Sequence, residues 1–125
     1  MKQIFYNKDI KNYISKDIIG KYIYYKEERQ DSYLYYICYV KDIDFNDATN
    51  NIIYYTNKCY LLFVPKNKDL KAFVYDNYDK INISVKFDLY ELTFTEFVNT
   101  FRTFIDNDGK QVSELPSKII QDEIY

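Results

Sequence analysis

The chain of 125 residues contains no histidine and no tryptophan, and only two glycines, two prolines and two cysteines. Without histidine it lacks the commonest general base, the usual catalytic triads and the commonest transition-metal ligand. Two glycines cannot build a glycine-rich phosphate loop. No apolar run approaches the length that spans a bilayer. These absences predict a single non-enzymatic domain, residues 1–125, that uses no cofactor and no metal and does not enter a membrane.

The two cysteines, Cys38 and Cys59, each lie within an apolar strand pattern. Free cysteine behaves as a small buried hydrophobe in a reducing compartment. A disulfide between neighbouring strands is the alternative. The segment Met1–Ile10 lacks the apolar core of a signal peptide. We therefore expect a cytoplasmic protein, and the cytoplasm can be that of a host cell.

Ile, Asn, Lys, Tyr and Phe dominate the composition, with 16 tyrosines and nine phenylalanines. Their codons are AT-rich, which is typical of an AT-rich genome such as that of some phages and mobile elements. The formal net charge is −2 and is unevenly spread. Residues 1–41 carry eight basic and five acidic side chains, whereas residues 81–125 carry four basic and eight acidic. The amino-terminal part is mildly basic and the carboxy-terminal part acidic.

The stretch from Ile81 to Gly109 carries the strongest structural signal. Residues 81–90 alternate apolar and polar side chains, the pattern of a half-buried strand. Apolar residues then recur at helical spacing: Phe94, Phe97, Val98, Phe101, Phe104 and Ile105. Thr93 and Glu96 form a capping-box pattern, Leu92 and Phe97 a hydrophobic staple, and Gly109 a C-terminal cap. The spacing predicts an amphipathic helix over about 93–107, packed on a sheet through its phenylalanines.

The rest of the chain predicts a short helix at about Lys8–Lys16, followed by a series of strands. The strands are predicted at about 21–26, 33–43, 52–56, 59–64 and 72–75, with a tight hairpin turn at Asn57-Lys58. The expected fold is α+β, with a curved antiparallel sheet of about five or six strands. Residues 19–90, opening with Gly20-Lys21-Tyr22-Ile23-Tyr24-Tyr25, resemble an SH3-like small barrel in strand pattern. Residues 118–125 are predicted to form a short helix.

Asp42, Asp44 and Asn46 have the spacing that opens a calcium loop. The match then fails, because Asp47 stands in place of the turn glycine and Ile53 in place of the bidentate glutamate. We interpret this segment as a solvated loop. Glu27 and Glu28 are the nearest approach to a carboxylate pair, and they lie in a predicted charged turn.

Two binding hypotheses remain. Tyrosines on one side of the 33–43 strand, beside acidic residues near the ends of the long helix, would make a protein-binding surface. Its predicted members are Tyr33, Tyr35, Tyr39, Glu91, Asp106, Asp108 and Glu114. The opposite side is assigned to the core and consists of Leu34, Tyr36, Cys38 and Val40. The alternative is single-stranded nucleic acid, bound by base stacking on Tyr24 and by the cations Lys21, Lys26 and Lys41.

The favoured function is a small non-enzymatic inhibitor that docks on a protein of a host or cognate system, as immunity proteins and phage anti-defence proteins do. A small β-barrel that binds single-stranded nucleic acid or a nucleotide is the second hypothesis. A structural or adaptor component of a virion or larger assembly is the third. Nothing in the sequence indicates the oligomeric state.

Overall fold

The computed structural model describes residues 2–4, 18–46, 48, 51–76, 78–84 and 89–111. These residues form one antiparallel sheet and one helix, so the predicted α+β class is confirmed, with strands predominating. The strands are β1 (Lys2–Ile4), β2 (Tyr22–Glu28), β3 (Ser32–Asn46), β4 (Asn51–Pro65), β5 (Phe73–Tyr75), β6 (Lys80–Ser84) and β7 (Leu89–Leu92), and the helix α1 is Phe94–Asn107. The predicted helices at 8–16 and 118–125 lie outside the described residues.

The sheet runs in the order β1-β7-β2-β3-β4-β5, and β6 pairs separately with β4. All of these pairings are antiparallel. Within the described residues, β1 and β5 are the outer strands of this path and do not pair with each other. The closed barrel of the SH3-like expectation is therefore not supported. The strand predicted over 81–90 is two strands with different partners, because β6 pairs with β4 whereas β7 pairs with β1 and β2.

The longest elements are β3 and β4, which pair along their whole length as one hairpin. The tight turn predicted at Asn57-Lys58 is wrong, since both residues lie inside β4. Lys58 adopts the left-handed backbone conformation, with φ of +50°. The register passes from Ile37↔Tyr60 to Tyr39↔Asn57, so one residue of β3 faces two of β4. This β-bulge, followed by a second at Lys41, bends the hairpin and divides it into two halves.

The sheet is covered on both faces, and each face carries its own apolar cluster. Helix α1 covers the first face, whose buried residues are Tyr24, Tyr35, Ile37, Leu62, Val64, Ala72, Leu92, Phe97 and Phe104. On the second face, residues of the far half of the hairpin and of β6 pack with residues of β2, β3 and β7. The buried residues of that cluster are Ile18, Ile23, Tyr25, Cys38, Val40, Ile52, Tyr54, Cys59, Ile81, Ile83 and Leu89. The bent hairpin thus lies over the face opposite the helix.

Helix α1 begins as predicted. The Thr93 hydroxyl accepts a hydrogen bond from the Glu96 N–H at 3.1 Å, and the Glu96 carboxylate accepts one from the Thr93 N–H at 2.9 Å. The capping box is confirmed. Gly109 has the predicted positive φ of +73°. Its N–H donates to the Ala72 carbonyl at 2.8 Å, so the end of the helix is tied to the segment that leads into β5.

The buried side of α1 differs in part from the prediction. Phe97 and Phe104 are buried as expected, together with Thr100 and Thr103. Each threonine hydroxyl donates to the carbonyl four residues earlier, so neither is left unsatisfied in the interior. The side of the helix that faces the sheet therefore includes the two threonines, and Phe94 and Ile105 lie at its exposed margin. The prediction that all the phenylalanines pack on the sheet is wrong for Phe94.

Thr93→Ala is expected to lower the free energy of unfolding by about 1 kcal/mol, because it leaves an N–H of the first helical turn without its acceptor. Thermal or urea unfolding measures the change. Thr93→Ser, which keeps the hydroxyl, should recover most of the loss. Equal losses for the two variants would contradict the assignment of Thr93 as the N-cap.

Candidate functional site

The tyrosine side of β3, predicted to face a partner, is the side that α1 covers. Tyr35 and Ile37 have no exposed surface, and Tyr24 on the neighbouring strand is 1% exposed. The prediction that Tyr35 lies on an exposed surface is wrong. Both sides of this strand are bulky and apolar, and the fold buries both of them.

Tyr33 and Tyr39 are half-buried and lie at opposite ends of that same side. Six residues of extended chain separate them by roughly 20 Å. Tyr33 has the Lys66 ammonium 5.0 Å from its ring centroid, in a cation–π geometry. Tyr39 packs edge-on against Tyr22, with the ring centroids 5.3 Å apart. The predicted tyrosine set therefore does not form one contiguous surface.

The acidic residues proposed to steer a partner are also dispersed. Glu91 in β7 forms a 3.4 Å ion pair with Lys21. Asp106 is exposed at the other end of α1. The Asp108 carboxylate accepts a hydrogen bond from the Val74 N–H at 2.9 Å, so it is paired with a backbone donor of β5. Glu114 lies outside the described residues.

The residues of the nucleic-acid alternative do not combine into a stacking site. Tyr24 is buried under α1 and cannot present its ring to a base. Lys21 is paired with Glu91, Lys26 is half-buried on β2, and Lys41 is exposed at a bulge of β3. A single-strand groove needs aligned cations beside accessible aromatic rings, which this set does not provide.

A different set of aromatic rings is accessible. We call it the aromatic row, and it consists of Tyr39, Tyr22, Phe94, Phe97, Tyr60 and Phe101. Tyr22 is its centre, with ring centroids 4.4 Å from Phe97 and 5.8 Å from Phe94. Tyr60 continues the row, 6.4 Å from Phe97 and 4.6 Å from Phe101. The tilted and edge-on geometries are those that aromatic pairs prefer.

The row lies where the first half of α1 meets three strands. Tyr22 and Tyr39 are direct cross-strand neighbours on β2 and β3, and Tyr60 is the β4 neighbour of Ile37. Phe97 is buried, four rings are half-buried, and Phe94 has 61% of its surface exposed. Phe94 is the most exposed of the large apolar residues described. A rigid, partly exposed aromatic surface of this kind suits recognition of another protein.

The strand and helix patterns named every residue of this row, but sequence reasoning missed the surface. The strand patterns place Tyr22 and Tyr60 in strands, and the helical spacing places the phenylalanines in the core. Apolar spacing shows which face of a helix is hydrophobic. It does not show how the helix is rotated about its axis when it packs on the sheet. A usable signal was the position of Phe94 in the first turn of the helix, at the end of its apolar face.

A second cluster, of polar and aromatic groups, lies on β2 and β3 on the face opposite the helix. The Tyr25 hydroxyl donates to the Glu27 carboxylate at 2.9 Å, and the Arg29 guanidinium lies 3.4 Å from the same carboxylate. The rings of Tyr25 and Tyr36 stack with centroids 4.8 Å apart. Glu28 is paired separately with Lys66 at 3.3 Å. The two glutamates thus have different partners and do not act as a carboxylate pair.

The two stacked tyrosines predict a specific alkaline instability. Burial raises the pKa of Tyr36 to about 12, and burial together with the hydrogen bond to Glu27 raises the pKa of Tyr25 well above its ordinary value. A group whose pKa is raised in the folded state stabilises the fold while it is protonated. Its contribution to the free energy of unfolding is fully present below the unfolded-state pKa of about 10 and is lost as the pH rises through the folded-state pKa. The free energy of unfolding should therefore fall above pH about 10 and continue to fall through pH about 12.

The measurement is urea unfolding at a series of alkaline pH values, for the wild type and for a variant carrying Tyr25→Phe and Tyr36→Phe. The other tyrosines are common to both proteins, so the difference isolates this pair. The variant should lose less stability over the same pH range. Identical pH dependence in the two proteins would contradict the assignment.

The residues with calcium-loop spacing have a structural role at a strand edge. The carboxylates of Asp42 and Asp44 accept hydrogen bonds from the next N–H along β3, those of Ile43 and Phe45, at 2.9 and 2.8 Å. Among the described strands, none pairs with this outer edge of β3. The aspartates occupy donors that an added strand would need, as Asp108 does at β5.

Within the described part of the chain, no group of three or more Cys, Asp or Glu side chains is arranged to hold a metal ion. Over the same residues, no helix has the length and apolarity needed to cross a membrane.

Comparison with known proteins gives no relative: no protein-family model matches the chain, and no curated protein and no solved structure matches it significantly.

Proposed function

We propose that this chain is a non-enzymatic binding protein that docks on another protein through the aromatic row and blocks it, in the manner of small immunity proteins and anti-defence inhibitors. The observation that carries the proposal is the exposure of Phe94, which lies beside Tyr22 at the margin of a set of mostly half-buried rings. Aromatic residues of this type are enriched in interface cores because they contribute large contact area at small entropic cost.

Rigidity favours this surface over a loop-based one. Three of its rings, Tyr22, Tyr39 and Tyr60, stand on neighbouring strands of the sheet, and the other three stand on a capped helix. Backbone hydrogen bonding on both sides fixes their spacing before a partner arrives. A surface that is already ordered loses little conformational freedom on binding, which improves affinity.

Charge favours a protein over a nucleic acid as the partner. The chain carries a net charge of −2, and two described lysines, Lys21 and Lys66, are already paired with glutamates. Nucleic-acid binding depends on releasing counterions through several lysine or arginine contacts. The aromatic row has no such cluster among the residues assigned to it.

Phe94→Ser is expected to weaken partner binding by about thirtyfold or more, since truncating an aromatic anchor typically costs about 2 kcal/mol. Ile105→Ser is the matched control, because Ile105 is also exposed, at 49%, and lies at the other end of the same helix. Each protein is immobilised and exposed to the proteome of the cell that expresses it, and the retained proteins are quantified by mass spectrometry. The prediction is one stoichiometric protein retained by the wild type and by Ile105→Ser, and lost by Phe94→Ser.

Thermal melts establish that both variants are folded before the capture is interpreted. Equal retention by the two variants would contradict the aromatic row as the docking surface. A gel shift with random single-stranded DNA and RNA at low and moderate salt is run alongside. Tight, salt-sensitive shifting without a protein partner would overturn the proposal in favour of nucleic-acid binding. Self-association through Phe94, detected by light scattering, would overturn it in favour of an assembly role.

A further inference from the structure

The only two cysteines of the chain face each other across the central hairpin. The β-bulge places Cys38 of β3 opposite Lys58 and Cys59 of β4. The two cysteines belong to the same buried cluster, on the face opposite the helix, with 0% and 1% of their surfaces exposed. Facing residues of an antiparallel pair have Cβ atoms about 4.5–5.5 Å apart, and a disulfide spans about 3.5–4.5 Å, so a shift of about 1 Å would bring two facing cysteines to the separation that a disulfide needs.

The two thiols are free, and they lie close enough for each to influence the pKa of the other. Burial raises the pKa of Cys38, which favours its protonated form. The neighbouring Cys38 thiol lowers the pKa of Cys59, and this effect outweighs the opposing effect of burial. The pair is therefore asymmetric, with Cys59 as the sulfur that more readily becomes a thiolate, the form that reacts with disulfides.

We propose that Cys38 and Cys59 are a redox modification site, which a small-molecule disulfide of the glutathione class converts reversibly into an intramolecular disulfide. The Cys59 thiolate attacks one sulfur of the oxidant, forming a mixed disulfide and releasing one glutathione thiolate. The Cys38 thiol then loses its proton to solvent and attacks the Cys59 sulfur, which forms the Cys38–Cys59 bond and releases the second glutathione. The two protein sulfurs are oxidised by two electrons, and the oxidant is reduced to two thiols.

Access to the buried pair comes from local opening at the bulge. The β3–β4 ladder is interrupted there, and Lys58 is held in a left-handed conformation that non-glycine residues seldom adopt. Interrupted ladders open at lower free energy than continuous ones. The disulfide would tie β3 to β4 at the bend between the two halves of the hairpin.

The test is an equilibrium redox titration of the full chain in glutathione buffers, carried out in native buffer and again in urea. Free thiols are alkylated after quenching, and intact mass distinguishes the dithiol, the intramolecular disulfide and the glutathione adducts. Because the fold holds the sulfurs together, the effective concentration of one thiol at the other should be at least about tenfold higher in native buffer than in urea, where a flexible loop gives millimolar values. Circular dichroism checks that the oxidised protein stays folded.

Cys38→Ser and Cys59→Ser are the controls, since each can form only a glutathione adduct. If either variant fails to fold, the titrations of the wild type with and without urea still show whether the folded structure favours the disulfide. A ratio below tenfold would overturn the proposal, because the folded structure would then not favour the disulfide. Glutathione adducts as the main native product, or loss of the folded spectrum on oxidation, would overturn it as well.

Discussion

Phe104→Ala is expected to lower the free energy of unfolding by about 3–5 kcal/mol, the usual cost of removing a large aromatic side chain from a packed core. Phe104 has no exposed surface and belongs to the cluster between α1 and the sheet. Its loss leaves a cavity that neighbours on two different elements cannot fill without moving. Urea unfolding followed by circular dichroism measures the change, with a constant m-value as the check on two-state behaviour.

Phe94→Ala is the matched control, because it makes the same chemical change in the same helix at a position that is 61% exposed. Its effect on stability should stay within about 0.5 kcal/mol, as for surface substitutions generally. Phe101, which is half-buried, should lie between the two. Similar losses for Phe94→Ala and Phe104→Ala would show that Phe94 is buried and not exposed, and the aromatic row would lose its most exposed ring.

Ile83→Ala is expected to cost about 2–5 kcal/mol, although Ile83 lies far from the helix. It is 1% exposed on β6, opposite Ile52 of β4, in the cluster on the second face of the sheet. The same cluster contains residues of β2 and β7, so truncating Ile83 weakens the packing of the bent hairpin over the sheet. The same unfolding measurement applies.

Asn82→Ala on the same short strand is the control, since Asn82 is exposed and faces away from the cluster. It should change stability by about 0.5 kcal/mol or less. If Ile83→Ala were as mild as Asn82→Ala, the far half of the hairpin would not be packed on the second face, and that face would be open to solvent.

The helix was the part of the fold that the sequence predicted best, because its signals are local. Thr93 and Glu96 are three residues apart, and the capping box depends only on that spacing. Gly109 was predicted by its position after the last apolar residue, and it has the expected positive φ. The rotation of the helix was not predictable in this way, since it depends on which side chains the sheet presents to it.

The β3–β4 hairpin was predicted as three strands with a turn at Asn57-Lys58, and the error has a clear cause. A residue with positive φ at that point is compatible with a tight turn or with a β-bulge. Lys58 has a positive φ within a bulge. Pairing partners decide between the two, and β3 lies alongside β4 on both sides of the bulge. That information is not local.

Alternation in β3 identified its two sides correctly, but it could not show that both sides are buried. Leu34, Tyr36, Cys38 and Val40 form one side and Tyr33, Tyr35, Ile37 and Tyr39 the other, as predicted. Period two assigns residues to sides and says nothing about what covers each side. Tyrosine is common at interfaces, but in this fold Tyr24, Tyr35 and Tyr54 are among the most deeply buried side chains described.

The most direct test of the aromatic row as the exposed, partner-binding surface is hydroxyl-radical footprinting. Modification of each side chain is measured by mass spectrometry, in the free protein and in its complex with the captured partner. In the free protein, Phe94 should be modified rapidly, whereas Tyr24 and Tyr35 should be protected by α1. In the complex, Phe94, Tyr22 and Tyr39 should become protected while Ile105 keeps its rate. Rapid modification of Tyr35 in the free protein, or a complex that leaves Phe94 as reactive as before, would contradict the account.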